Sequence, residues 1–351
     1  MRTHSCGKCG QALFFESTSC VRCGAPVGVL DGLRAVALRA EGDGVVPIGA
    51  DAPAPLHRCV NAAHGACNWL VAEEGAYCLA CRHNLTVPDL SDPGRLRDWQ
   101  RMEVAKHRLI YALVRLGLPL ATRAEDPGEG LGFAFLASVP GAPEVMTGHA
   151  SGLITIDLAE ADDGERERRR AAMGEPYRTL IGHFRHEVGH WYWDRLARDG
   201  GEGALARVRE AFGDDRADYG EALERHYAEG PPPDWAERFV SSYATAHPWE
   251  DFAETWAHYL HVVDTLDTAF AHGVSVGAPG GVPAGAPEDG FDPYREGDSD
   301  RMLDAWNPLT VALNSINRSM GLPDLYPFVV TPAIRGKLAV IHDLVRGAAR
   351  S

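Results

Sequence analysis

The chain has no cysteine after residue 81 and no apolar run approaching the ~18 to 20 residues of a membrane span. The first absence excludes a disulfide framework from most of the chain, and the second excludes a spanning helix. The N-terminus, MRTHSCGKCG, lacks the apolar stretch of a secretory signal, so a cytoplasmic protein is expected. A basic footprint is also missing. Residues 1–110 carry 12 Lys/Arg and 11 Asp/Glu, while the rest carries 22 and 38, which gives −15 for the whole chain. Neither part has the charge that nucleic acid attracts. The run Arg166, Arg168, Arg169, Arg170 is interleaved with Glu165 and Glu167, and it reads as a solvated helical face. With 351 residues, 45% of them hydrophobic, the chain has material for about two domains of ~150 residues.

Eight cysteines are present, all within residues 6–81, in two sets of four. Without a secretory signal, paired CxxC spacing points to metal rather than disulfides. The first set is Cys6-Gly-Lys-Cys9-Gly and Cys20-Val-Arg-Cys23-Gly. A two-residue spacer lets both thiolates bind one ion while backbone N–H groups point back at the sulfurs, and Gly10 and Gly24 relieve strain at the turn. Four thiolates close a tetrahedral zinc shell, so this site is structural. The second set is Cys59, Cys67, Cys78 and Cys81. Its first spacing is wider, and His57, His64 and His83 lie near enough in sequence to substitute. An all-cysteine site is preferred because those thiolates otherwise have no partner. Between the sets, residues 27–39 read as a hairpin or short strands. A domain over residues 1–90 with a modest apolar core needs such staples to fold.

From residue 91 the texture changes to helices. Ser91-Asp92-Pro93 starts one that runs to about Leu116. Strands are expected over Gly132–Val139 and Gly152–Leu158, the second as an edge strand able to pair with an extended peptide. Further helices are expected over Tyr177–Arg198, Glu202–Phe212, Ala217–Glu229, Pro248–Ala271 and Thr331–Arg346. Residues 272–298, rich in Gly, Pro and acidic residues, read as a flexible insertion.

His186-Glu187-Val188-Gly189-His190 is HExxH. On a helix, positions i and i+4 share a face, so His186 and His190 can place two imidazoles on one Zn²⁺. Glu187, beside them, can take a proton from a metal-activated water. His183, one turn earlier, suits a helix-surface or supporting role better than ligation. A catalytic zinc needs a third protein ligand and one open position. Glu250 and Glu254, four apart on the helix after Pro248, face one way. One carboxylate can bind zinc while the other accepts the second N–H of a ligating imidazole.

HEVGH, followed about 60 residues later by YATAHPWEDFAETWAHYL, resembles the bacterial zinc-binding metallopeptidases that carry an N-terminal zinc-ribbon domain. The resemblance extends to the cysteine quartets and to FGDDRADYGEALERHY. A Tyr seven residues before the Glu of ExFAE is similar to the pattern of lethal-factor-like gluzincin proteases. That resemblance implies Glu250 as third zinc ligand, Glu254 as the residue orienting a ligating histidine, and Tyr243 as oxyanion donor. Position 251 departs, with Asp where the lethal-factor pattern has Phe, so Asp251 competes for the metal, as does His247. The implied fold is α+β: paired zinc ribbons over 1–90, then a mostly helical, gluzincin-like domain over 91–351. The implied chemistry is peptide-bond hydrolysis with one catalytic and two structural zinc ions, acting on a peptide or protein. The alternative is a non-catalytic adaptor, with a structural zinc at HExxH and ribbons that bind a protein or nucleic-acid partner. The near-neutral ribbon region disfavours nucleic acid, and an intact Glu187 disfavours the adaptor.

Overall fold

The first CxxC turn joins a short antiparallel pair, β1 (His4–Ser5) and β2 (Ala12–Leu13). β3 (Val27–Val29) and β4 (Ala35–Glu41) form the hairpin expected over 27–39, with Val27 opposite Ala37, and β5 (Gly44–Pro47) extends it. The inward side chains Val36 and Leu38 bury against Leu70, with Leu30, Val45 and Leu56 around them. β6 (His57–Arg58) pairs with β7 (Leu70–Val71) and frames the second cysteine set, and β8 (Asn84–Thr86) follows it. Helix α1 (Pro93–Leu116) is capped by Asp92, whose Oδ1 accepts from the N–H of Gly94 at 2.7 Å.

β9 (Gly132–Leu136), β10 (Gly148–Ala150) and β11 (Leu153–Asp157) join β8 in a mixed sheet of order β10-β11-β9-β8. The expectation of an edge strand at 152–158 is corrected here. β11 lies between antiparallel β10 and parallel β9, so its backbone is paired on both sides. The cause is a two-residue hairpin loop. Ser151 (φ 45°) and Gly152 (φ 82°) both take left-handed conformations that fold β10 back onto β11.

The structure is a computed structural model and describes residues 1–351 except 52–53, 140, 142–144, 277–290 and 350–351. It divides into two compact units, Met1–Tyr111 with Ala121–Arg166, and Ala112–Leu120 with Glu167–Ser351. The boundary expected at residue 90 falls inside the first unit. Among the described residues, no helix is long and apolar enough to cross a membrane.

α2 (Asp163–Met173) buries none of its residues, as expected of a solvated face. The second unit is helical. α3 (Leu180–Tyr192) begins three residues later than expected because Thr179 caps it, its side chain accepting from the N–H of Gly182. It continues through a π-type turn over Trp193–Arg198. α4 (Glu202–Phe212), α5 (Tyr219–Glu229) and the single turn α6 (Trp235–Arg238) lead to the long, mostly buried α7 (Pro248–Ala271). α8 (Ser299–Ser319) was not legible, since Pro308 interrupts its pattern, and α9 (Pro332–Ala348) closes the chain. Most of the insertion expected at 272–298 lies outside the described residues. Tyr294, near its end, is buried, with Arg115 stacked 4.5 Å from its ring centroid.

What positions the site is the crossing of α3 and α7. Gly189 lies against α7 so closely that a Cβ there would meet Ala253 Cα at 3.0 Å and Trp256 Cβ at 3.2 Å. Stacked Tyr192 and Trp256 (4.6 Å) and the ion pair of buried Arg185 with partly buried Asp264 hold the same crossing further along. The glycine of HExxH is what lets the two helices approach.

Candidate active site and metal centres

In the first quartet the four sulfurs lie within 4.8 Å of one another, with Cys6–Cys23 at 3.8 Å and Cys9–Cys20 at 3.6 Å. Sulfurs bound to one tetrahedral zinc at ~2.3 Å would be about 3.8 Å apart. Gly10 (φ 75°) and Gly24 (φ 68°) take the left-handed conformation, and their N–H groups donate to the carbonyls of Cys6 (2.8 Å) and Cys20 (2.9 Å). The second quartet gathers likewise, with Cys67–Cys78 at 3.7 Å and all four side chains buried. None of His57, His64 and His83 joins it among the described residues, and His83 is turned to the carbonyl of Leu131 at 2.9 Å.

A different histidine, without a role in the sequence reading, stands beside the second quartet. His107, on α1, places Nε2 3.3 Å from Cys67 Sγ and 3.8 Å from Cys81 Sγ, and its Nδ1 donates to the Glu103 carbonyl at 2.6 Å. Burial lowers its pKa, but the Cys81 thiolate and Glu103 more than offset that and raise it. Fully buried Lys106 pairs with Glu103 at 2.9 Å nearby. Glu103 itself lies 3.8 Å from Cys81 Sγ, so Lys106 balances that carboxylate and His107 is the α1 side chain that abuts the sulfurs. The only sequence signal was two cationic residues in an otherwise buried stretch of helix.

In the second unit the HExxH helix brings its histidines to α7. His186 Nε2 and His190 Nε2 lie 3.2 Å apart, and Glu250 Oε2 is 3.0 Å from the first and 3.5 Å from the second. Nitrogens bound at ~2.0 to 2.1 Å to one tetrahedral ion would be about 3.3 Å apart. His186 Nδ1 donates to Glu254 Oε1 at 2.7 Å, which leaves Nε2 of the neutral ring as a lone pair. Glu250 Oε2 is buried with no hydrogen-bond partner. Lone pairs facing each other in a buried site repel unless a cation lies between them, either a proton on one imidazole or a metal ion, and the donor set fits zinc. Burial opposes charge on Glu250, yet the neighbouring His190 and His186 hold its carboxyl well below the usual range. On His186 burial again works against the charged form, and Glu250 and Glu254 outweigh it and raise the pKa well above normal.

Glu254 is clamped from both sides. Its Oε2 accepts from Ser241 Oγ at 2.6 Å, and Ser241 in turn accepts from the Ala244 N–H at 3.1 Å. Burial pushes the Glu254 pKa up, but His186, His258 and Ser241 bring it down to about 2. Ser241 has no spacing signature of its own in the sequence, and only the fold brings it to Glu254.

The two competitors for the metal are turned elsewhere. Asp251 is fully buried against Lys337 of α9 (2.5 Å), and burial pushes its pKa up to about 7 against the pull of that lysine. His247 caps α7, with Nδ1 accepting from the Trp249 N–H and Nε2 donating to the Ala217 carbonyl, both at 3.1 Å. Among the described residues neither these nor His183 belongs to the group placed so that it could hold an ion, which consists of His186, His190 and Glu250.

Glu187 is buried in the same helix turn, and its charge helps to raise the pKa of both Tyr219 and Tyr243. Tyr243 lies in a tight turn before α7, with its ring 6.0 Å from that of His186. Burial first, then Glu250, pushes its pKa far above normal, so it is a neutral phenol. Trp249 packs 4.2 Å from the His190 ring and forms an apolar wall.

Residues 3–92 match a family described as a zinc-ribbon domain. An uncharacterized protein of Mycobacterium bovis and two of Mycobacterium tuberculosis strains are each 44% identical over 349 residues, which is 98% of this chain and 95% of theirs. No solved structure is significantly similar. Residues 95–344, which hold all the side chains of the histidine–glutamate centre, match the family described as "Putative zinc-binding metallo-peptidase", and the chain belongs to that family.

Proposed function

We propose that the chain hydrolyses peptide bonds, with zinc held by His186, His190 and Glu250. The observation that carries this reading is the meeting of three buried lone-pair atoms with Glu187 beside them and no fourth side chain in the group among the described residues. A closed four-ligand shell is the mark of a structural zinc, and three ligands leave a place for water. Zinc there would supply a Lewis acid that makes water a nucleophile near neutral pH. Glu187 takes the proton and passes it to the leaving amine. Tyr243 donates a hydrogen bond as negative charge develops on the carbonyl oxygen. Glu254, braced by Ser241, fixes the His186 ring with Nε2 turned inward. The substrate is a peptide or protein, and the near-neutral ribbons suit a protein partner.

The test is turnover of a peptide library by zinc-loaded protein and by Glu187→Gln. The variant should keep its zinc and fold while turnover falls by roughly 10²-fold or more. Wild-type turnover from Glu187→Gln would overturn the reading.

A further inference from the structure

Tyr219 opens α5, and nothing in its spacing from HExxH or from Glu250 singles it out. Its hydroxyl donates to Glu250 Oε1 at 2.6 Å. The other oxygen, Oε2, is the one that faces both imidazoles. The carboxylate is thus divided, with one oxygen held by a phenol and one turned to the ligand group. The phenol is itself fixed. Asp218 caps α5 by accepting from the Glu221 N–H at 2.9 Å, and the Tyr219 ring packs edge-on against His247 (5.3 Å) and Trp249 (5.7 Å). His247 reaches back to the carbonyl of Ala217, so residues 217–219 are fastened to the first turn of α7, where Glu250 sits.

We propose that Tyr219 is a positioning residue that restricts Glu250 to one-oxygen ligation of the metal. The inference rests on the reading of His186, His190 and Glu250 as ligands. Its chemical consequence is specific. A carboxylate that binds through both oxygens fills an additional coordination position, and the site needs that position for water and for the substrate carbonyl. A phenol has one proton to donate, and that of Tyr219 is committed to Glu250. Its oxygen is left to accept, and the Tyr243 hydroxyl is hydrogen-bonded to it, so the phenol that holds Glu250 also adjoins the second tyrosine.

The test uses the full chain with the ribbon zincs in place, the open site stripped by a chelator and reloaded with Co²⁺. Tyr219→Phe removes one oxygen from a residue that is 37% exposed, and it should weaken Co²⁺ binding at that site by about 10- to 100-fold. The visible absorption per bound cobalt should also fall, as coordination rises from four to five when Glu250 gains its second oxygen. Counting absorbance per bound ion in folded protein keeps loss of folding from imitating the effect. Tyr227→Phe, on the same helix and 69% exposed, should change neither readout. Wild-type affinity and an unchanged spectrum in Tyr219→Phe would overturn the inference alone. Failure of the wild type to bind cobalt outside the cysteine sites, or full affinity in Glu250→Ala, would overturn the ligand reading and this inference with it.

Discussion

Gly189→Ala tests whether the separation of α3 and α7 sets the metal geometry. The added methyl would sit 3.0 Å from Ala253 Cα, 3.2 Å from Ala253 O and 3.2 Å from Trp256 Cβ. Carbon pairs settle at ~3.5 to 4.0 Å, so the helices must part by roughly 0.5 Å. Two of the three contacts are backbone, which cannot rotate out of the way. Overpacking of this kind costs ~1 to 3 kcal/mol, and the better helix propensity of alanine returns about 1 kcal/mol. The expected net loss of stability is therefore small, at most about 2 kcal/mol. The loss at the metal should be larger. His186 and His190 share α3 and keep their 3.2 Å spacing, but Glu250 rides on α7 and moves away from both. Metal–ligand bonds tolerate only about ±0.2 Å. Chelator competition should show the histidine–glutamate site weakened by roughly 10-fold or more, with the cysteine sites unaffected and urea unfolding shifted only slightly. Equal metal affinity in wild type and variant would refute the claim that this close approach places the third ligand.

Elemental analysis should find three zinc ions per chain, and a chelator should remove one of them first, because an open shell releases its ion more readily than four thiolates do. Finding two ions after gentle purification, both resistant to the chelator, would count against the open site. Tyr243→Phe should lower kcat by the equivalent of ~2 to 4 kcal/mol with KM little changed, and an unchanged kcat would remove the oxyanion role. Lys337→Met should destabilise the fold by ~1 to 3 kcal/mol, because it leaves the buried Asp251 carboxyl without its partner and keeps it protonated, while zinc content stays at the wild-type level. Loss of zinc in that variant without loss of stability would return Asp251 to the list of candidate ligands.

The elements that the sequence disclosed were those governed by local rules. HExxH needs only the helical period to put two histidines on one face, and CxxC followed by glycine needs only the geometry of one turn. Pro248 and Thr331 marked helix starts because capping is local. Where expectation and structure parted, a local signal was weak or contradictory. The hairpin at Ser151–Gly152 made β11 an inner strand, and Pro308 concealed α8.

By itself, then, the sequence determined which side chains could bind metal, since ligand type and spacing along one helix or one turn suffice for that. Spacing alone left Glu250 and Glu254 open, with Asp251 and His247 as near neighbours that compete, and only the resemblance singled out Glu250. Tertiary packing decided their directions: Asp251 toward Lys337 of α9, His247 toward the carbonyl of Ala217, and Glu250 toward the imidazoles. It also recruited Tyr219, Ser241 and His107, which lie far along the chain from the groups they touch. The physical reason is range. Periodicity and turn chemistry act over a few residues, whereas the partner of a buried polar atom is fixed by whichever helix packs across it.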